Sequence, residues 1–126
     1  MSLLVRAFPL VRPPADLLEF IAALQGERKA DAMAFYKEHG VTHESWYLQE
    51  TPAGPLVIGL TQVTDLPTAS ESFARNQTGF PAWFKEQVQA LSGVNQNESP
   101  NGPPTKLVYE YSDTPQTRAH FAPFGA

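Results

Sequence analysis

The chain has 126 residues, 42% of them hydrophobic, and a formal net charge of −4. This length suits a single domain with its own core. The nine Lys and Arg residues are spread along an acidic chain, which argues against a nucleic-acid partner, because such proteins carry a basic patch. The chain has no Cys, which excludes disulfides and Cys-based metal sites and suits a cytoplasmic protein. No apolar run approaches the roughly 18 residues of a membrane span, so we expect no membrane partner.

The first third of the chain predicts one strand and one long helix. Apolar residues dominate both faces of a predicted strand at residues 3–10, which indicates an inner strand covered on both sides. Pro14 suits the first turn of a helix, where its missing N–H is not needed. Apolar residues then recur every three or four positions as far as His39, which predicts one amphipathic helix over residues 14–39, with Gly26 as its weak point.

The middle of the chain predicts a β-hairpin. Residues 42–50 and 56–64 are rich in strand-forming types, and a Pro- and Gly-containing turn separates them. If Gln49 pairs with Leu56, Trp46 lies beside Gly59. A glycine at that position would leave room for the indole ring.

The last third predicts a divided helix, a long loop and a final strand. A capping box that begins at Thr68 predicts a helical stretch over 68–91, broken near Gly79. The polar loop 94–104 is expected to be the most mobile internal segment and to border any cleft. Residues 106–112 alternate as a fourth strand would. We expect residues 1–113 to form the domain and 114–126 to form a C-terminal tail that contains Phe121 and Phe124.

The resulting order, β-α-β-β-α-β, predicts an α+β, ferredoxin-like fold. Its four-stranded antiparallel sheet would carry helices on one face. Both faces of this sheet have apolar residues, while two helical layers can cover only one. We therefore expect a homodimer formed through the open sheet face. This order predicts a fold and leaves the chemistry open.

The span from residue 3 to residue 112 resembles the dimeric α+β barrel superfamily. Two stretches, 44–52 (ESWYLQETP) and 83–88 (WFKEQV) followed by Gly93 and Val94, resemble a family of short bacterial proteins of unassigned function. The resemblance implies that two ferredoxin-like sheets pack face to face and that ligands bind between each sheet and its own helices. Related proteins include cofactor-free monooxygenases, haem-degrading enzymes and lactone isomerases. The haem-degrading members typically use an Asn, a Trp and a His, whereas the first Asn here is Asn76, which argues against their chemistry in this chain. We expect no cofactor.

Arg28 is the first candidate for a ligand contact, because it falls within the apolar stripe of the predicted helix. Its guanidinium could reach the cleft and hold a carboxylate-bearing ligand. The alternative is that its stem passes the edge of the core and its charge pairs with Asp31.

Four further residues are candidates for a ligand-binding site. His43 and Tyr47 share one sheet face with Ser45 and could line a pocket, or they could belong to a solvated or interface strand. Trp46 and Trp83 could form pocket walls, or they could belong to the core.

Metal and acid–base chemistry have weaker support in the sequence. His39 and His43 have a metal-ligand spacing, but a helix end and a strand start divide them, so no metal site is expected. Glu44, Glu50 and Glu110 are strand carboxylates, for which surface exposure is the default. A general base would need an apolar setting that raises its pKa.

Two readings of the function follow. The first is a small dimer that binds a small apolar or carboxylate-bearing molecule between sheet and helices, with catalysis left open. The second is a structural or interaction protein whose cleft is filled by its own aromatic side chains. A monooxygenase-like or isomerase-like enzyme is a further alternative, which the superfamily resemblance implies.

Overall fold

A computed structural model describes residues 2–97, 105–111 and 113 of the chain. The described part contains three strands and four helices and belongs to the α+β class. They are, in chain order, β1 (Ser2–Pro9), α1 (Pro14–Gln25), α2 (Lys29–Glu38), β2 (Val41–Thr51), β3 (Gly54–Val63), α3 (Leu66–Arg75) and α4 (Gly79–Ser92).

The three strands form an antiparallel sheet in the order β1-β3-β2. The predicted hairpin register is confirmed, since Gln49 pairs with Leu56 and Trp46 lies opposite Gly59. Among the described strands β1 is an edge and β3 is central, so the expectation that β1 is an inner strand is not met.

The predicted helix over residues 14–39 is wrong, because two helices form in its place. α1 ends at Gln25, and Gly26 occupies its C-cap with non-helical backbone angles. The backbone N–H of Arg28 then donates to the carbonyl of Ala23 at 2.8 Å, which closes the turn before α2 begins. Glycine is among the weakest helix formers, and it stands where the helical pattern breaks.

The predicted division of the second helical stretch is confirmed, and its starting residue is corrected. α3 begins at Leu66 rather than at Thr68, because Asp65 is the N-cap and its carboxylate accepts the backbone N–H of Thr68 at 3.2 Å. α4 ends where Gly93 adopts a left-handed conformation with φ of 73°, which favours glycine.

The predicted fourth strand is not formed by residues 106–111, which have no regular structure, and Ser112 lies outside the described residues. Thr105 does reach the sheet, where its hydroxyl donates to the carbonyl of Val5 on β1. Most of the residues after it turn their side chains to solvent, and Val108 and Tyr109 are 88% and 81% exposed, whereas Glu110 is half-buried. Alternation alone does not create a strand, and no described strand pairs with this segment.

All four helices pack on one face of the sheet, as predicted. Phe8 of β1, Val57 of β3 and Trp46 of β2 belong to a single apolar cluster with side chains of the helices. Since side chains alternate along a strand, the residues between them point to the opposite face. This open face carries mostly apolar side chains, namely Leu3, Val5, Ala7, Leu56, Ile58, Leu60 and Tyr47.

Candidate functional site

A cavity of about 320 Å³ lies between the helix-covered face of the sheet and helices α2 and α3. Its apolar walls include four aromatic rings, and several polar side chains converge on it. The lining residues that carry the argument below are Arg6, Phe35, Tyr36, His39, Glu44 and Thr61. A concave, mostly apolar space with a few convergent polar groups is the usual form of a small-molecule site.

Glu44 lies on the floor of the cavity, in the register row that crosses the sheet through Thr61 and Leu4. The Thr61 hydroxyl lies 2.8 Å and 2.6 Å from the two carboxyl oxygens and donates to them. Burial raises the pKa of Glu44 to about 7, while hydrogen bonds from the Thr61 and Trp46 side chains act in the opposite direction. A carboxyl group with this pKa gains and loses its proton near neutral pH.

Tyr36 projects from α2 into the same cavity. Burial is the main cause that raises the pKa of its hydroxyl, and the charge of Glu44 raises it further. The phenol therefore stays neutral and keeps its proton, so it can donate one hydrogen bond and accept another.

His39 follows α2 and is 5% exposed. Its Nδ1 lies 2.7 Å from the carbonyl oxygen of Phe35, which can only accept, so Nδ1 carries the proton. Its Nε2 lies 3.2 Å from the side-chain amide nitrogen of Asn76, which donates to it. Both ring nitrogens are therefore engaged within the fold.

Arg6 is a second charged residue in the cavity wall. It occupies the next register row, opposite Gly59, and lies on β1 rather than β2. Burial lowers the pKa of its guanidinium, which nevertheless stays charged at any ordinary pH.

Lys85 of α4 binds the C-terminal end of α3, the helix that forms one wall of the cavity. Its Nζ donates to the carbonyls of Phe73 and Asn76 at the end of α3, and to the Asn97 side chain at 2.9 Å. The ammonium also lies 4.6 Å from the centre of the Phe73 ring. Burial lowers the pKa of Lys85. Because Phe73 and Asn97 both line the cavity, this lysine positions part of its boundary.

The start of the loop after α4 is packed rather than loose. Gln96 is 1% exposed and donates to the carbonyl of Val94, and Asn97 borders the cavity. The prediction that residues 94–104 border a cleft therefore holds for Asn97. Residues 98–104 lie outside the described residues.

A wider groove of about 820 Å³ lies between β2 and helices α1 and α2. Glu44 and Tyr36 line this groove as well as the cavity. These two side chains therefore stand at the partition between the two spaces.

Arg28 does not line the cavity. Its guanidinium lies 4.3 Å from the centre of the Trp83 ring and 3.9 Å from the carboxylate of Asp31. The side chain is 36% exposed. The pairing with Asp31 that the sequence offered as the alternative is the one that forms.

The other four candidate residues lie in two separate places. Trp46 and Trp83 are half-buried and pack against the core, where both rings contact Phe20, at 5.8 Å and 5.6 Å between ring centres, and Trp46 also lines the wider groove. His43 and Tyr47 are exposed on the open face of the sheet, and His43 Nε2 lies 3.1 Å from the Ser45 hydroxyl. The shared face of His43, Ser45 and Tyr47 is confirmed. The predicted set of five residues does not form one site.

Sequence reasoning did not place Glu44 in a binding site, although the alternation of side chains along its strand could have shown that it faces the helices. In the confirmed register Glu44 has the same strand parity as Trp46 and therefore faces the helices. A carboxylate on that face cannot be a solvated surface group, so the default exposure assumed for Glu44 is wrong.

Within residues 2–97, 105–111 and 113, no group of three or more His, Asp or Glu residues is placed to hold a metal ion. No helix in the same part of the chain combines the length and hydropathy that a membrane crossing requires.

Comparison of the chain with known proteins gives no information on its function. No protein-family model, no curated protein and no solved structure matches it. The function is therefore argued from the geometry of the cavity.

Proposed function

We propose that the protein is a cytoplasmic homodimer that binds a small, largely apolar molecule in the cavity between its sheet and helices α2 and α3. The observation that carries the proposal is a space of about 320 Å³ on which Glu44, Tyr36 and Arg6 converge. Polar groups at the edge of an apolar space fix the orientation of a ligand, while the apolar walls contribute most of the binding free energy.

The alternative reading, a structural protein with a filled cleft, fits only one part of the molecule. Trp46, Trp83 and Phe20 fill the space beneath α1 and α4. Had the same filling extended beneath α3, the chain would have no room for a ligand. The cavity at that end favours a binding protein.

The homodimer is proposed to form through the open face of the sheet. Val5, Ile58 and Leu60 stand on that face, and no helix packs against it among the described elements. A contiguous apolar sheet surface is uncommon on a monomer. Light scattering at micromolar concentration is expected to give the mass of a dimer, and a stable monomer would contradict this part of the proposal.

The finer fold assignment, a ferredoxin-like sheet within a dimeric α+β barrel, is part of the same proposal. The observed order β1-β3-β2 leaves an edge of β1 where a fourth strand would complete the β-α-β-β-α-β arrangement. The bond from Thr105 to Val5 brings the start of the predicted fourth strand to β1.

Binding can be tested with a neutral fluorescent probe, N-phenyl-1-naphthylamine, whose emission rises in apolar surroundings. The wild-type protein is expected to bind it saturably. Ala69→Trp should abolish binding, because Ala69 lines the cavity and the indole would occupy it. Ala34→Trp is the matched control, since Ala34 is exposed on α2 and lies outside the lining.

Ser70→Phe is a second blocking variant, placed at an exposed position of the cavity wall where folding tolerates a large side chain. Circular dichroism would confirm that each variant is folded. Equal probe binding by the two blocking variants and the wild type, or no binding by the folded wild type, would overturn the proposal.

A further inference from the structure

The Glu44 carboxyl group has side chains beside it that favour its ionised form. The Thr61 hydroxyl donates to it, and the Trp46 side chain also lowers its pKa, although burial outweighs both effects. Donors that point at a carboxyl oxygen favour the charged state over the protonated state. The immediate surroundings are therefore arranged for a carboxylate.

The described residues place no cation against this carboxylate. Both ring nitrogens of His39 are engaged, with Phe35 and Asn76. Arg6 lines the same cavity, but no ion pair joins it to Glu44 among the described residues, and burial rather than a neighbouring charge sets the pKa of Glu44. Tyr36 is the remaining titratable group of the wall, and it stays neutral.

Two species could compensate such a carboxylate, namely a proton or a cation from outside the chain. A proton does so below neutrality, in accordance with the pKa of about 7. A bound cation would do so above neutrality. It would also satisfy the carboxylate without losing the hydrogen bond from Thr61.

The walls of the cavity suit an organic cation rather than a hydrated metal ion. Phe35, Tyr36, Phe73 and Phe84 present aromatic rings to the space. Aromatic faces attract ammonium groups and pack against apolar carbon. The neutral Tyr36 hydroxyl can also accept an N–H from the ligand.

We propose that the cavity takes a small amine with an apolar body, bound as its ammonium ion against Glu44. This inference rests on the proposed small-molecule binding function and names its ligand class. The ammonium group lies between Glu44 and Tyr36, and the carbon body lies against the rings of α2, α3 and α4. Binding requires the ionised carboxylate, so each amine bound to protonated Glu44 displaces one proton.

The test compares 2-phenylethylamine with 2-phenylethanol, which has the same carbon body and no charge, by titration calorimetry. At about pH 8 the amine is expected to bind at least about tenfold more tightly than the alcohol, since charge-assisted pairing in a partly dry site is strong. Below pH 7 its affinity should fall by up to about tenfold per pH unit as Glu44 becomes protonated. The affinity of the alcohol should change little.

Glu44→Gln should remove the preference for the amine and leave the alcohol bound. Glu50→Gln, a change of an exposed carboxylate on the same strand, is the matched control and should keep the preference. Thr61→Val removes a hydrogen bond that lowers the pKa of Glu44, so it should move the midpoint of the pH dependence upward.

The outcomes separate the two proposals. If the wild type binds the naphthylamine probe but shows no preference for the amine, or if Glu44→Gln keeps that preference, the ammonium inference is wrong and the binding function stands. If the folded wild type binds neither the probe nor either phenylethyl compound, the binding function itself is wrong.

Discussion

The space between the sheet and the helices is filled with side chains at one end and hollow at the other. Beneath α1 and α4 lies a packed region formed by Phe8, Phe20, Trp46, Trp83 and Phe84, whose rings contact one another directly. Beneath α2 and α3 lies the cavity, where aromatic rings stand at the walls and polar side chains occupy the floor. One covered sheet face thus carries both a filled core and a hollow. Neighbouring positions on the sheet account for the difference, because Trp46 opposite Gly59 belongs to the packed region, whereas Glu44 opposite Thr61 lies on the floor of the cavity.

Trp46 joins the two regions. Its ring meets Phe8 edge to face and Phe20 at a tilt, 6.1 Å and 5.8 Å away between ring centres, and its side chain lowers the pKa of Glu44. Gly59 lies opposite it and presents no side chain that would compete for the space. The indole ring therefore belongs to the packed region and to the wall of the wider groove, and it acts on the cavity through Glu44.

The largest expected effect is a loss of stability in the packed region. Phe20→Ala should lower the free energy of unfolding by about 3–5 kcal/mol, because Phe20 is 4% exposed and contacts three other rings. Phe73→Ala makes the same change at the cavity wall and should cost only about 1–2 kcal/mol, since that ring already borders open space. Urea unfolding of both variants measures the contrast, and equal losses would contradict the division into two regions.

The next effect concerns the charge in the cavity. Folding raises the pKa of Glu44 from 4.5 to about 7, so the folded state holds a proton that the unfolded state has lost between these pH values. Stability therefore falls as the pH rises through this window, and the ionised group costs about 3 kcal/mol above it. Glu44→Gln should be more stable than the wild type by up to that amount at about pH 8 and nearly equal to it at about pH 4, below both pKa values.

Denaturant unfolding at the two pH values measures this difference. Glu50→Gln serves as the control and should give a small difference that does not depend on pH in the same way, because Glu50 is exposed. A pH-independent effect of Glu44→Gln would show that Glu44 does not ionise in the window stated above.

The smallest effect is expected at Arg28. Arg28→Met should cost about 1 kcal/mol or less, through loss of the contact with the Trp83 ring and of a weak ion pair. It should leave probe binding in the cavity unchanged. Arg75→Met removes an exposed ion pair that involves no ring contact and should cost still less. Loss of probe binding in Arg28→Met would show that the packed region and the cavity are coupled.

Local patterns predicted much of the fold. The hairpin register followed from the turn residues and strand alternation, and the joint between α3 and α4 followed from Gly79 and Pro81. The break at Gly26 was harder to predict, because the apolar stripe continues across it and only the geometry of the turn shows that the helix ends. At residues 106–111 the sequence predicted a strand that does not form. Strand-like alternation does not show whether a partner strand lies close enough to pair.

The candidate site was harder to predict than the fold. Arg28 stood out because it interrupts an apolar stripe, yet the split between α1 and α2 moves it beside Trp83. Glu44 did not stand out, because an acidic residue on a strand is usually solvated. Its place in the cavity depends on Thr61, a residue 17 positions away that the strand pairing brings opposite it.

The arrangement around Lys85 has a consequence for how the fold is assembled. Its ammonium group needs acceptors from two separate stretches of chain, residues 73–76 and Asn97, and these meet only when both have docked on α4. Either stretch alone would leave a buried charge poorly satisfied. Lys85 thus couples the docking of α3 to the docking of the segment after α4 that contains Asn97. We therefore expect this wall of the cavity to form or open as one cooperative unit.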